Sequence, residues 1–269
     1  MQQKVILITG GTSGIGKSIG IHLKSEGHRV YGTTRSLAKN AQFDLFPILE
    51  MNVTDTESIS LAVQYILEKE GRLDVLVNNA GIGITGAIEE TPEEEITKAF
   101  ATNFMGPIHM MKAVLPQMRK QKDGCIINIT SIAGYMGLPY RGIYSATKGA
   151  LELLTEAMRM EVKHFGVHIA NVAPGDFATN IAAGRYHTPV GPHSPYKESY
   201  EKTLLAMNSA VTQGMDPIHV AKKVAQIIRA KNPKIHYVVG APLQRFSLVL
   251  KKFLPDKIYE KLLLNHYKL

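Results

Sequence analysis

A phenol and an ammonium group stand four positions apart in YSATK, residues 144–148. In a helix, positions i and i+4 lie on the same face, so the Lys148 ammonium can stand beside the Tyr144 hydroxyl. A fixed positive charge favours the phenolate form and makes a phenol a stronger acid near neutral pH. The spacing therefore predicts a general acid or base at Tyr144, with an exposed surface pair as the alternative.

A glycine-rich segment, TGGTSGIG at 9–16, follows the first apolar run and opens a helical pattern. Glycines let the backbone approach a pyrophosphate, and a helix N-terminus offers free N–H groups and a positive dipole end. The spacing, with Gly10, Gly14 and Gly16, departs from the common G-x-G-x-x-G fingerprint. Its position between a strand and a helix nevertheless predicts a dinucleotide site.

The second apolar run ends in YGTTRS, and no acidic residue follows until Asp44. A ribose 2′-hydroxyl is usually bound by an Asp or Glu near this point, whereas a 2′-phosphate requires a cation. Arg35 can pair with a phosphate dianion, and Thr34 adds a hydroxyl without repulsion. The sequence favours NADP(H) over NAD.

Seven strand-length apolar runs alternate with helical patterns and must position these groups. The runs are KVILIT, HRVYGTT, FPILEM, LDVLVNN, CIINIT, VHIANV and IHYVVG, and the helical patterns lie near 15–26, 55–70, 92–121, 142–165 and 216–230. This alternation predicts an α/β fold, a doubly wound, parallel, seven-stranded Rossmann-like sheet, with its ligand at the carboxyl ends of the strands.

The alternation is interrupted at 176–214, which is rich in Gly, Pro and His in its first half and is predicted to be a lid, with a mobile surface insertion as the alternative. We expect a single catalytic domain over 1–242 that includes this lid. The residues 243–269 form a C-terminal amphipathic helical extension of that domain, with apolar positions at helical spacing on either side of Pro255. Its basic face allows peripheral contact with an anionic membrane, and packing on the domain is the alternative.

The composition restricts the class of protein. The 269 residues carry a formal net charge of +8 and one cysteine, Cys125. A single cysteine excludes an internal disulfide and fits a cytoplasmic protein, and the first ten residues lack a signal-peptide pattern. Basic residues are scattered, without zinc-finger spacing or a basic block, so we expect neither nucleic-acid binding nor a metal site.

Four patterns in order, TGGTSGIG, NNAG at 78–81, Ser131 and YSATK, together resemble the single-domain branch of the short-chain dehydrogenase/reductase family. The resemblance covers Val5 to about Gly240. It implies that Tyr144 exchanges a proton with the carbonyl oxygen, Ser131 polarises that oxygen, and Lys148 assists Tyr144 and holds the nicotinamide ribose. Asn103 would organise a water chain to the lysine.

The motifs and the resemblance together predict a larger cofactor-binding set. Its members are Gly10, Thr12, Ser13, Gly14, Ile15, Gly16, Thr34, Arg35, Asn52, Val53, Asn79, Ala80, Gly81, Tyr144, Lys148, Pro174, Gly175, Phe177 and Thr179. Asn52 departs from the aspartate that many relatives carry there, which should weaken the contact with adenine.

Three loops should border the carbonyl site, and their residues are mostly apolar. The predicted substrate contacts are Ile84, Ser131, Tyr135, Leu138, Tyr144, Phe177 and Ile181. No pair of arginines is expected to converge on the site. We therefore expect a reductase of a bulky apolar ketone or secondary alcohol, resembling the steroid, retinoid and long-chain-ketone members of the family.

Two alternatives remain: a 3-oxoacyl thioester reductase, and a catalytically silent NADP(H)-binding sensor or assembly protein. The long helical patterns at 92–121 and 142–165 suit a homodimer or homotetramer interface, as the resemblance implies.

Overall fold

The fold is a doubly wound α/β sandwich, seen in a computed structural model that describes residues 2–178 and 184–269. The strands are β1 (Val5–Ile8), β2 (Arg29–Thr34), β3 (Ile48–Glu50), β4 (Val75–Asn78), β5 (Ile84–Thr85), β6 (Gly124–Ile129), β7 (Val167–Pro174), β8 (Tyr186–His187) and β9 (His236–Val239). The α-helices are α1 (Gly14–Ser25), α2 (Thr56–Glu70), α3 (Glu93–Phe100), α4 (Gly106–Gln121), α5 (Gly142–Val162), α6 (Lys197–Thr212), α7 (Ile218–Arg229), α8 (Pro242–Phe253) and α9 (Asp256–Tyr267).

Seven strands form one parallel sheet in the order β3-β2-β1-β4-β6-β7-β9. These are the seven runs expected from the sequence, so the predicted fold class is confirmed. Alternate residues of β1 supply the two core layers: Leu7 packs with α2 and α4, and Ile6 and Ile8 pack with α1 and α7. Because both faces are covered, the strands are apolar throughout rather than alternating.

The pattern at 92–121 folds as two α-helices joined by a π-helical turn, Ala101–Met105. Pro107 lies in the first turn of α4 and has no N–H to donate to the preceding turn, and the helix widens to the π-helical turn just before it. The wide turn buries the Asn103 side chain completely. Such π-helical turns are frequent at functional sites, and this one directs a polar group inward.

The segment predicted as a lid contains regular structure that the sequence reasoning missed. Strand β8 pairs in parallel with β5, and α6 follows it. Tyr200, Met207 and Val211 of α6 are buried, which attaches this helix to the domain. The predicted contacts Thr179 and Ile181 lie outside the described residues.

The C-terminal extension forms α8 and α9, separated by Pro255 as the sequence predicts. Tyr259 is buried against Ile132 and Met136, and its hydroxyl lies 2.8 Å from the Met136 sulfur. Gln244 Nε2 donates to the Asp176 carboxylate at 2.6 Å, just after β7. The extension thus packs on the loops that follow the sheet. Across the described ranges, no helix is long and apolar enough to cross a membrane.

Cys125 lies in β6 and is a free thiol. Burial raises the pKa of this thiol to about 12. A thiol with so high a pKa is protonated near neutral pH and is a weak nucleophile.

Candidate active site

A cleft of about 1010 Å³ runs along the carboxyl edge of the sheet. It extends from the glycine turn and the end of β2, past the NNAG segment, to Ser131, Tyr144 and the residues after β7. Parallel strands bring their carboxyl ends to one edge, so residues far apart in the sequence meet there.

The glycine turn has the tight geometry that a pyrophosphate requires. Gly14 has φ of 50°, and a Cβ on Gly16 would lie 2.3 Å from the Gly10 oxygen. Asn79 Nδ2 donates to the carbonyl oxygens of Thr9 at 2.9 Å and Gly10 at 3.1 Å. Gly16 therefore permits the packing of the turn without itself lining the cleft, and Asn79 holds the turn in place.

The end of β2 forms a cationic corner of the cleft. Arg35 and Lys39 are exposed and line it together with Thr34, Ser36 and Asn40. Asn40 Nδ2 donates to Thr34 Oγ1 at 2.9 Å, which fixes the loop. Two cations beside hydroxyl groups suit a phosphate dianion. Ser36, Lys39 and Asn40 were missed from the sequence, although Lys39 follows Arg35 by only four residues.

At the next strand end, Asn52 and Val53 line the cleft as expected. The Asn52 side chain is exposed, and its Oδ1 accepts a hydrogen bond from Thr54 N at 3.2 Å. The amide nitrogen of Asn52 remains the group able to meet a ligand. Ala80 and Gly81 of the NNAG segment continue the same wall.

Tyr144, Lys148 and Ser131 lie together at the far end of the cleft, and all are buried. Lys148 Nζ donates to the Ile129 carbonyl at 3.0 Å and lies 5.9 Å from the centre of the Tyr144 ring. Ser131 Oγ accepts from Ala133 N at 3.2 Å. Because that bond uses a lone pair, the Ser131 hydroxyl proton stays available for a ligand oxygen.

Asn103 lies behind this group and outside the cleft lining. Its Oδ1 accepts from Ile82 N at 2.8 Å, and its Nδ2 donates to the Ile82 oxygen at 2.9 Å and to Thr147 Oγ1 at 3.2 Å. One amide thus ties the loop after β4 to α5. In this geometry Asn103 positions the loop and α5 around Lys148.

The predicted substrate residues divide into two groups. Ile84 and Phe177 line the cleft and are buried. Tyr135 does not face the cleft, because its hydroxyl donates to Glu152 Oε2 at 2.9 Å, and burial with the Glu152 charge raises the pKa of this phenol. Leu138 packs between Tyr144 and the Ile132–Met136 cluster and also lies outside the lining. Tyr135 and Leu138 thus lie behind the cleft wall rather than in it, and their direct contact with substrate stays a prediction.

The expectation that no pair of arginines converges on the carbonyl site is wrong. Arg141 and Arg185 both line the cleft at the Tyr144 end. They are separated by 44 positions in the sequence: Arg141 immediately precedes α5, and Arg185 immediately precedes β8, which pairs with β5.

Comparison with known proteins agrees with this geometry. The family model described as short chain dehydrogenase matches residues 4–189. A 3-ketodihydrosphingosine reductase from Bacteroides thetaiotaomicron is 40% identical over 261 residues, which are 97% of this chain and 96% of the relative.

Two solved structures share the fold. A short-chain dehydrogenase from Streptomyces avermitilis has a TM-score of 0.83 and 32% identity, with 99% of this chain and 97% of the other covered. ElxO, solved with NADP bound, has a TM-score of 0.73 and 30% identity, with 88% and 96% covered.

Proposed function

Because this chain belongs to the short-chain dehydrogenase family, we propose that it is an NADP(H)-dependent reductase of a long-chain lipid ketone, able to catalyse the reverse oxidation. The observation that carries the proposal is the buried group of Ser131, Tyr144 and Lys148 at the end of a dinucleotide-sized cleft. An intact set of this kind argues against a catalytically silent sensor or assembly protein.

In the proposed reaction, Ser131 and Tyr144 donate hydrogen bonds to the ketone oxygen, where negative charge develops. Tyr144 then transfers its hydroxyl proton to that oxygen. The Lys148 ammonium, held by the Ile129 carbonyl, stabilises the phenolate that remains. The nicotinamide cofactor, when bound, supplies the hydride that reduces the carbonyl carbon.

The cofactor proposal rests on the two ends of the cleft. The glycine turn opens α1 and would hold the pyrophosphate, and the cationic corner of Arg35, Ser36 and Lys39 would hold a 2′-phosphate. No carboxylate lines that corner in the described part of the chain. The NADP-bound state of ElxO supports the same choice.

The substrate proposal rests on the cleft walls and on the 3-ketodihydrosphingosine reductase relative. Ile84, which packs in one cluster with Tyr144, and the lining residues Phe177 and Val211 provide apolar surface, as an alkyl chain requires. Steroid ketones and 3-oxoacyl thioesters are the alternatives for the same chemistry.

We expect the unmodified enzyme to oxidise NADPH with a long-chain 3-ketone, measured at 340 nm against steroid ketones and 3-oxoacyl thioesters. Tyr144→Phe should lower kcat/KM about 100- to 10,000-fold because the general acid is lost. Tyr65→Phe, the same change at an exposed position of α2, is the matched control and should keep full activity. Tight NADPH binding without turnover of any of these ketones would favour the silent-protein alternative.

For cofactor choice, Arg35→Ala should lower kcat/KM with NADPH about tenfold, since one charged hydrogen bond to an exposed phosphate is lost. The kinetic constants with NADH should stay unchanged. The difference in kcat/KM with NADPH between the variant and the unmodified enzyme should become smaller at high salt. Equal losses with both cofactors would show that Arg35 acts on the loop rather than on the 2′-phosphate.

We also propose peripheral binding of α8 and α9 to an anionic membrane. The exposed apolar face of these two helices comprises Leu243, Phe246, Val249, Phe253, Ile258 and Leu262. Leu243 and Phe253 are each 74% exposed. Arg245, Lys251, Lys252, Lys257 and Lys261 lie on the same two helices. Apolar side chains among basic ones complement the interface of an anionic bilayer.

Co-sedimentation should therefore recover the protein with vesicles of phosphatidylcholine and phosphatidylserine, and much less with phosphatidylcholine alone. The double variant Phe246→Glu/Phe253→Glu should remain in the supernatant. Leu61→Glu, at an exposed apolar position of α2, is the matched control and should bind normally. If the double variant pelleted as efficiently as the control, the proposed face would be rejected.

A homodimer or homotetramer is proposed as well. Leu153 and Met160 stand on the outer face of α5 and are 68% and 71% exposed, in keeping with a partner there. Sedimentation velocity should give a multiple of 29.6 kDa, and Leu153→Asp/Met160→Asp should give the mass of one chain. A monomeric mass for the unmodified protein would contradict the interface.

A further inference from the structure

The substrate end of the cleft contains a buried arginine without a carboxylate partner. Arg185 is only 8% exposed and lines the cleft beside Tyr144. Within the described ranges, its one hydrogen bond runs from Nη1 to Asn208 Oδ1 at 3.5 Å, and it forms no salt bridge. The undescribed residues 179–183, TNIAA, include no acid. A buried guanidinium of this kind is costly unless an anion joins it.

The pairing of β8 with β5 places Arg185 at the cleft. Tyr186 N donates to the Gly83 oxygen at 2.9 Å, and Thr188 N donates to the Thr85 oxygen at 2.9 Å. The Arg185 stem lies across Gly83, where an added Cβ would be 3.0 Å from Arg185 Cγ. Arg185 is therefore part of the cleft wall, on the side formed by β5.

The charges around Arg185 leave the region positive. Arg141 lies with its guanidinium carbon 5.3 Å from the centre of the Tyr144 ring and lines the same cleft. Asp176 is the acidic residue of the described lining, and its carboxylate accepts from Gln244 rather than from either arginine. Burial, and next the charge of Arg141, lower the pKa of the Arg185 guanidinium, whereas Tyr144, Tyr200 and Asp176 raise it. The guanidinium thus lacks a compensating anion.

We propose that Arg185 is the centre of an anion subsite that binds a carboxylate or phosphate-ester group carried close to the ketone of the substrate. This inference rests on the proposed reductase function and narrows its substrate class. The hydride acceptor would be a long-chain ketone with an anionic headgroup, in contrast to the amino alcohol that the name of the 3-ketodihydrosphingosine reductase relative implies. The guanidinium would pair with that headgroup while Ser131 and Tyr144 bind the ketone oxygen.

Arg141 has a different part in this arrangement. Its guanidinium lies over Tyr144 and acts on the buried Tyr267 hydroxyl at the end of α9. Replacing Arg141 would therefore disturb both the general acid and the C-terminal helix. Among the described residues, Arg185 has no hydrogen bond or ring contact with either tyrosine, which makes it the cleaner position for a test.

The test uses four 3-ketones of equal chain length with different groups at C1 or C2: a carboxylate, a phosphate ester, a neutral hydroxyl and an ammonium. The unmodified enzyme should show kcat/KM at least tenfold higher for an anionic substrate than for the neutral one. Arg185→Gln should lower kcat/KM for the anionic substrates about 10- to 100-fold. It should change kcat/KM for the neutral substrate by no more than about threefold. The ratio of kcat/KM for the carboxylate and phosphate-ester substrates identifies which anion the subsite prefers.

Two further variants separate charge from structure. Arg185→Lys should keep part of the preference for anionic substrates, because lysine retains the positive charge but lacks the planar guanidinium that can donate two parallel hydrogen bonds. Lys202→Gln removes an exposed cation of α6 and should change nothing. Preference for the ammonium substrate, or an equal loss on every substrate in Arg185→Gln, would overturn the subsite.

Binding measurements keep the subsite testable without turnover. Calorimetry on the NADP⁺-loaded unmodified protein should find dodecanoate or dodecyl phosphate at least tenfold tighter than dodecanol. If that difference holds but no ketone is reduced, the proposed reaction fails and the subsite stands. If ketones are reduced but the three alkyl ligands bind equally, the subsite fails and the reductase stands.

Discussion

The site depends on the hydrogen bond from Lys148 Nζ to the Ile129 carbonyl, 3.0 Å long. A buried ammonium must find acceptors, and this one finds the last carbonyl of β6. Ser131 follows that carbonyl by two residues, and Tyr144 precedes the lysine by one helical turn. A single bond between a strand end and α5 therefore brings the phenol, the hydroxyl and the ammonium into one corner of the cleft.

The supporting contacts are built on the same edge of the sheet. Asn103, buried by a π-helical turn, joins the loop after β4 to α5 through Ile82 and Thr147. Asn79 fastens the glycine turn. These amides use backbone groups as partners, so they hold loops that have little apolar surface of their own. The result is a rigid floor for a cofactor and a substrate.

The walls of the cleft combine opposite characters. Apolar residues near Tyr144 suit an alkyl chain, while two arginines from distant segments make the same region positive. The C-terminal helices cover the loops beside it through Tyr259 and expose apolar side chains to solvent. A lipid with a charged end would meet matching chemistry both at the surface of these helices and inside the cleft.

The sequence alone determined the strands, the glycine turn, the Tyr144–Lys148 pair and the cationic end of β2, because each depends on neighbours within one element or one turn. Only the tertiary structure decided which loop residues face the cleft. Tyr135 turns to Glu152 and His236, the latter 101 positions away, and Arg185 reaches the site because β8 pairs with β5. A loop side chain points toward its best buried partner, and that partner is chosen by contacts between segments that no local pattern records.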